Sequence, residues 1–148
     1  LFSGGFINSN QITLGIGGTS TTVVQVGSAG LTVPGGSFDV SPVHNQGSGG
    51  QILIYAQESV PRTTGFEINP TRVINRVTLD NTNGLVLAGG DLEANSTTGA
   101  TTNALTLTNG TLQTGSNTLF VSAATGVVVR TNGYVVGNQR KTFDAAGS

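Results

Sequence analysis

Short runs in which apolar residues alternate with Thr, Asn or Gln recur along the chain. They are Gln11-Ile12-Thr13-Leu14, Thr22-Val23-Val24-Gln25-Val26, Gln51-Ile52-Leu53-Ile54-Tyr55, Arg76-Val77-Thr78-Leu79, Leu85-Val86-Leu87, Ala104-Leu105-Thr106-Leu107, Thr118-Leu119-Phe120-Val121 and Gly126-Val127-Val128-Val129-Arg130. A two-residue period belongs to a half-buried strand. Helical periodicity is missing, because nearly every helix-length window contains Gly, an Asn-Gly pair or clustered β-branched residues. Asn83-Gly84, Asn109-Gly110 and Asn132-Gly133 punctuate the runs and tolerate the left-handed backbone of tight turns.

The stretch 76–126 is the most regular, with strand-sized pieces separated by turns. It predicts an all-β fold, a parallel β-helix or β-solenoid, in which stacked strands enclose a narrow aliphatic core. Leu105, Leu107, Leu112, Leu119 and Val121 then point inward, and Thr106, Thr108, Gln113, Thr118 and Ser122 point outward or occupy turns. An antiparallel β-sandwich with hairpins at the Asn-Gly pairs is the alternative, since the turn chemistry suits both. The stretch 33–70 is different: it holds Pro34, Pro42, Pro61 and Pro70 together with Phe38, His44, Tyr55 and Phe66. The expected organisation is therefore first coils or the tail of a preceding β-module over 1–32, a Pro/Gly-rich insert with one edge strand over 33–75, and regular coils over 76–148. The motif around Gly4-Gly5-Phe6-Ile7-Asn8 is echoed from Asn109-Gly110-Thr111-Leu112, an offset of roughly 105 positions that exceeds a single coil and would mark a repeated module.

Composition narrows this picture. The 148 residues and 14.9 kDa suit one domain. Gly, Thr, Asn and Ser make up about half the chain, but 36% hydrophobic residues in alternating runs argue for order. Charged residues amount to 9% and the net charge is −1, which leaves no polyelectrolyte face for nucleic acid. Cys, Met and Trp are absent, which excludes disulfides, thiol nucleophiles and Cys-based metal clusters. No membrane span or signal peptide is expected within these residues. The ends, Leu1-Phe2-Ser3 and Ala146-Gly147-Ser148, carry the expectation that the chain is a piece of something longer.

The runs Pro61-Arg62-Thr63-Thr64-Gly65-Phe66-Glu67-Ile68-Asn69-Pro70, Arg76-Val77-Thr78-Leu79-Asp80-Asn81-Thr82-Asn83-Gly84, Leu105-Thr106-Leu107-Thr108-Asn109-Gly110-Thr111-Leu112 and Tyr134-Val135-Val136-Gly137-Asn138-Gln139-Arg140-Lys141 resemble β-helical repeat modules of large secreted and surface proteins of Bacteroidota. Such proteins are type IX secretion cargo. The resemblance covers most of the chain, and its motifs are compositional. It implies a right-handed β-helix, an extracellular or cell-surface location and an adhesin, stalk or filament role. It brings no catalytic residue, and the sorting domain typical of such cargo is not recognisable in these residues.

Candidate chemistry is sparse. Of seven carboxylates, Asp91 and Glu93 share a strand face and Asp80 is expected on a neighbouring coil, the one arrangement able to form an acid/base or calcium cluster. His44 is a lone imidazole, which reads as a loop residue. Gly15-Ile16-Gly17-Gly18 precedes no helix and forms no phosphate cradle, and abundant Ser comes without a nucleophile elbow. Thr101, Thr102, Thr106, Thr108, Thr111, Thr114 and Thr118 suggest a flat outward array that orders water or sugar hydroxyls, against the ordinary solvent-face use of Thr. Asn95-Ser96-Thr97 and Asn109-Gly110-Thr111 are formal glycosylation sequons. Arg140-Lys141 reads as a solvated end or a docking point.

The expected function is a non-enzymatic structural module whose partners are adjacent modules or filament subunits, with no cofactor, metal or catalytic residue. A carbohydrate-binding module using an exposed Tyr55 or Tyr134 is the first alternative. A β-helical polysaccharide-degrading enzyme with Asp80, Asp91 and Glu93 converging in a groove is the second. Lateral contacts are expected from Phe38, His44, Tyr55 and Phe66.

Overall fold

The structure, a computed structural model, describes residues 6–7, 13–15, 17–28, 36–45, 47–96 and 103–143, with only the backbone at 6–7. It contains fifteen strands, numbered β1 to β15 in chain order, and no helix among the described residues. One sheet stacks β3 (Thr22–Val26), β6 (Gln51–Tyr55), β9 (Arg76–Asp80), β12 (Asn103–Asn109) and β14 (Val127–Arg130). A second sheet joins β7 (Arg62–Thr63), β10 (Leu85–Val86), β13 (Thr111–Val121), β11 (Leu92–Ala94), β8 (Val73–Ile74) and β15 (Tyr134–Lys141). Two small sheets pair β1 (Phe6–Ile7) with β4 (Ser37–Phe38) and β2 (Thr13–Leu14) with β5 (Val43–His44).

Every pairing among the described residues is parallel, so the chain is a β-solenoid of about four turns and not an antiparallel sandwich. Along the five-stranded sheet Val24, Leu53, Val77, Leu105 and Val128 stand in one column, giving turns of 29, 24, 28 and 23 residues. Parallel neighbours require a full circuit between strands, and the Asn-Gly pairs supply corners of that circuit instead of hairpins.

The inward set is the one the alternation predicts. Leu105, Leu119 and Val121 are 0% exposed, Leu112 1% and Leu107 3%, and all belong to one core with Leu53, Val77, Leu79, Leu85 and Leu92. Each such side chain contributes about 2 kcal/mol of burial. Glycine is required where a corner brings two coils together: Gly110 has φ +88°, and a Cβ there would land on the Asn81 carbonyl oxygen of the coil before it.

Three expectations are corrected. The strand Gln51–Tyr55 is interior, between β3 and β9, because its flanking prolines lie outside it and remove no ladder donor. Within 33–75 the structure also places β4, β5, β7 and β8. Tyr55 and Phe38 are not lateral contact residues: they are 1% and 8% exposed. Tyr55 turns inward because residues 64–72 close over it with buried polar partners. The Thr array is not one face either. Thr106 and Thr108 lie on the five-stranded sheet while Thr111, Thr114 and Thr118 lie on β13, and Thr114 is fully buried. Thr101, Thr102 and most of the first copy of the internal echo lie outside the described residues.

Candidate functional site

The most chemically varied surface lies where β8, β11, β13 and β15 stack. Their register puts Val73, Glu93, Phe120 and Arg140 in one row across four strands. A hollow of about 190 Å³ opens over this row and takes in Thr71, Arg72, Asp91 and Thr118. A second, of about 220 Å³, lies beyond Arg72 and is lined by Thr64, Phe66 and Ala88.

Arg72 is the hinge of this surface. Its backbone adopts φ +54°, the one left-handed non-glycine among the described residues, a conformation that costs about 1 kcal/mol. The guanidinium compensates by tying down the next coil's corner. Nε donates to the Asp91 carbonyl (2.7 Å), and one terminal nitrogen donates to Ala88 (2.9 Å) and Gly90 (3.1 Å). Partial burial pulls its pKa down from the ordinary guanidinium value, countered by Tyr55 in its ionised form at high pH and by the carboxylates of Glu67 and Asp91. Asp91 is exposed and accepts the Thr118 N–H at 2.7 Å. The Glu93 N–H donates to the Arg72 carbonyl at 2.9 Å, while its carboxylate has no hydrogen bond or ion pair among the described residues. Arg140 lies 4.5 Å from the centroid of the Phe120 ring, a cation–π contact.

Beneath this surface is a buried polar cluster. The Tyr55 hydroxyl donates to Glu67 Oε1 at 2.8 Å, and the Gly65 N–H donates to both oxygens of that carboxylate. Gln51, 0% exposed, donates to the Glu67 carbonyl and accepts from the Asn69 N–H. Asn69 in turn donates to the Val73 carbonyl at 2.8 Å. Burial, and then the charge of Glu67 and the hydrogen bond to it, push the Tyr55 pKa well above its ordinary value. His44 sits at the edge, with Nε2 donating to the Phe66 carbonyl at 3.3 Å and Nδ1 buried without a partner. Burial lowers its pKa, with the Phe66 carbonyl and Glu67 opposing.

The three carboxylates singled out by spacing do not converge. Asp91 and Glu93 line one hollow, whereas Asp80 ends β9 in the other sheet and accepts from Asn109 Nδ2 at 2.7 Å. Among the described residues no group of three or more His, Cys, Asp or Glu could hold a metal. Asn109, which heads a formal glycosylation sequon, is committed to a corner ladder: its Nδ2 donates to Asp80 and its Oδ1 accepts from Asn132 at 3.2 Å. Of the two aromatics considered for sugar stacking, Tyr134 is 48% exposed but Tyr55 only 1%; Phe66, expected to make lateral contacts, is 46% exposed. Lys141 donates to the Ala124 and Thr142 carbonyls. Sequence reasoning missed Arg72 and Phe120, because neither belongs to a motif and only the coil register brings them beside Asp91, Glu93 and Arg140.

No known family model, curated protein or solved structure matches the chain.

Proposed function

We propose that the chain is a structural module, a stiff β-solenoid segment of an extracellular bacterial adhesin, stalk or filament, joined along its axis to adjacent modules. One observation carries the reading: polar side chains at the coil corners are used to bind one coil to the next. Gln57 Oε1 accepts from the N–H and hydroxyl of Thr82, and Asn83 donates to the Glu58 carbonyl. Asn109 and Asn132 continue the same corner, while Asn117 donates to Leu87 and Asn138 to Asn117 on another. Such ladders add axial stiffness without defining a reaction.

The test has two arms. Antibody against the chain should label unpermeabilised source cells, and tandem copies pulled from their ends should resist extension and unfold in steps. Labelling only after permeabilisation, or polysaccharide cleavage abolished by Asp91→Asn or Glu93→Gln, would overturn the proposal.

A second reading, a glycan-binding module, is favoured by the hollow in which unpaired Glu93 faces the Phe120 and Arg140 side. Carboxylates and guanidinium groups beside an aromatic ring suit sugar hydroxyls. Glycan-array binding lost in Glu93→Ala and Phe120→Ala would establish it. An array with no hits would remove it.

A further inference from the structure

The outer face of the five-stranded sheet carries a pattern that the stack itself does not use. Its central row runs Gln25, Ile54, Thr78, Thr106 and Val129, in register across five strands. On one side of that row stand Val23, Ile52 and Arg76. On the other, one ladder position beyond the inward Tyr55 and Leu79, stand Ala56 and Asp80. The face is thus bulky and basic on one flank, small and acidic on the other. Val23 is 57% exposed, and Ile52, Ile54, Arg76 and Thr78 line a hollow of about 320 Å³. The Arg76 Nε is buried without a hydrogen-bond partner, and Asp80 uses only Oδ1, toward Asn109. The strands of this sheet hold one further charge, Arg130, which stands in register with the inward Leu107.

A two-fold axis parallel to the stack and lying along the central row complements this pattern with itself. It reverses the strand direction of the facing copy and keeps each coil level with its counterpart. Arg76 of each copy then meets Asp80 of the other, and Ile52 meets Ala56. Ile54, Thr78 and Thr106 meet their own counterparts on the axis. Two such sheets pack about 10 Å apart, close enough for side chains to interdigitate, and an isologous contact of this kind closes as a dimer. We propose that this face is a lateral interface occupied by a second copy of the chain, two solenoids lying side by side with Arg76 and Asp80 paired twice across the axis. This is independent of whether modules also join end to end.

Charge exchange tests it. Wild-type chain should sediment as a concentration-dependent dimer. Arg76→Asp and Asp80→Arg, each setting like charges against each other twice, should each weaken the dimer at least about a hundredfold. Mixing the two single variants should restore a heterodimer, because each supplies the charge the other lacks, and the double exchange in one chain should restore the homodimer. Circular dichroism checks that each variant is folded. Should a charge variant fail that check, Thr78→Cys gives an independent readout, since the chain has no other cysteine: a short bismaleimide should link Thr78→Cys copies, and not Gln113→Cys copies, into dimers. A monomeric wild type, single variants that still dimerise, or cross-linking no better at 78 than at 113 would each overturn the interface.

Discussion

Replacing Gly110 by alanine separates a solenoid corner from an ordinary turn. Two glycines of the same strand region supply the comparison. Gly110 has φ +88° and Gly115 φ +58°, so both lie in the left-handed region. A Cβ on Gly115 meets nothing, whereas a Cβ on Gly110 collides with the backbone of Asn81, one coil away. The left-handed penalty of about 1–2 kcal/mol is common to both. It is partly offset by about 0.4–1 kcal/mol from the stiffer unfolded chain, so Gly115→Ala should cost about 1 kcal/mol or less. Gly110→Ala carries an additional overpacking cost of about 1–3 kcal/mol. The obstacle is a main-chain carbonyl held by the Asn81 to Gly84 turn, in which the Gly84 N–H donates to Asn81 at 2.8 Å. The expected total is roughly 3 kcal/mol. Urea unfolding followed by far-ultraviolet circular dichroism reads both variants, with the slope showing whether the unfolding surface is unchanged. Asparagine sharpens the comparison, since it tolerates the left-handed backbone: Gly115→Asn should be nearly neutral and Gly110→Asn still costly. Equal losses at both positions would refute the idea that Gly110 is fixed by the neighbouring coil.

Leu119→Ala, at a position with 0% exposure, should destabilise by about 3 kcal/mol in the same assay. Asn109→Ala removes the links to Asp80 and Asn132 and should cost about 1–2 kcal/mol, against less than about 1 kcal/mol for the exposed Asn132→Ala, which removes only the latter. Because the Tyr55 pKa is raised in the folded chain, its contribution is constant below about pH 10. It falls as pH rises further, since the unfolded state releases its proton first. Stability measured on the alkaline side should therefore fall more steeply for wild type than for Tyr55→Phe. The single His44 should titrate by proton NMR below the ordinary histidine value, and its lowered pKa should reduce stability as pH drops through that ordinary value toward the folded one.

The core was readable where the alternation was unambiguous. In Leu105-Thr106-Leu107 only one parity is apolar, and both leucines are buried. In Gln51-Ile52-Leu53-Ile54-Tyr55 both parities can be buried, and the pattern favours the wrong one for the aromatic. Gln51, Leu53 and Tyr55 face inward, leaving Ile52 and Ile54 on the surface. A buried Gln and Tyr are stable only with polar partners inside, and those partners, Glu67 and Asn69, come from a loop whose path the local sequence does not encode. The surface site shows the same limit. Asp91 and Glu93 were visible as a pair, but the residues that give them a context, Arg72 and Arg140, are separated from them by a coil or more.

The buried cluster also explains why the irregular region belongs to the stack. Between the second and third coils only β6 and β9 pair. Among the described residues β4 does not pair with β7, nor β5 with β8. Two of three faces therefore lack a ladder at this level, and side-chain bonds replace it: Gln51 and Tyr55 hold Glu67 and Asn69, and His44 bonds the Phe66 carbonyl. A ladder break bridged by directional side-chain bonds should be the weakest level of the rod under axial load, because each bond removed there leaves a buried polar group without a partner. Glu67→Gln leaves the fold's apolar burial intact yet removes the charge that accepts from Tyr55 and Gly65. It should raise amide exchange selectively at β6 and residues 64–72, and leave β12 and β13 protected. Uniformly faster exchange along the whole chain would instead mean that the rod opens as one cooperative unit and that this level has no separate stability.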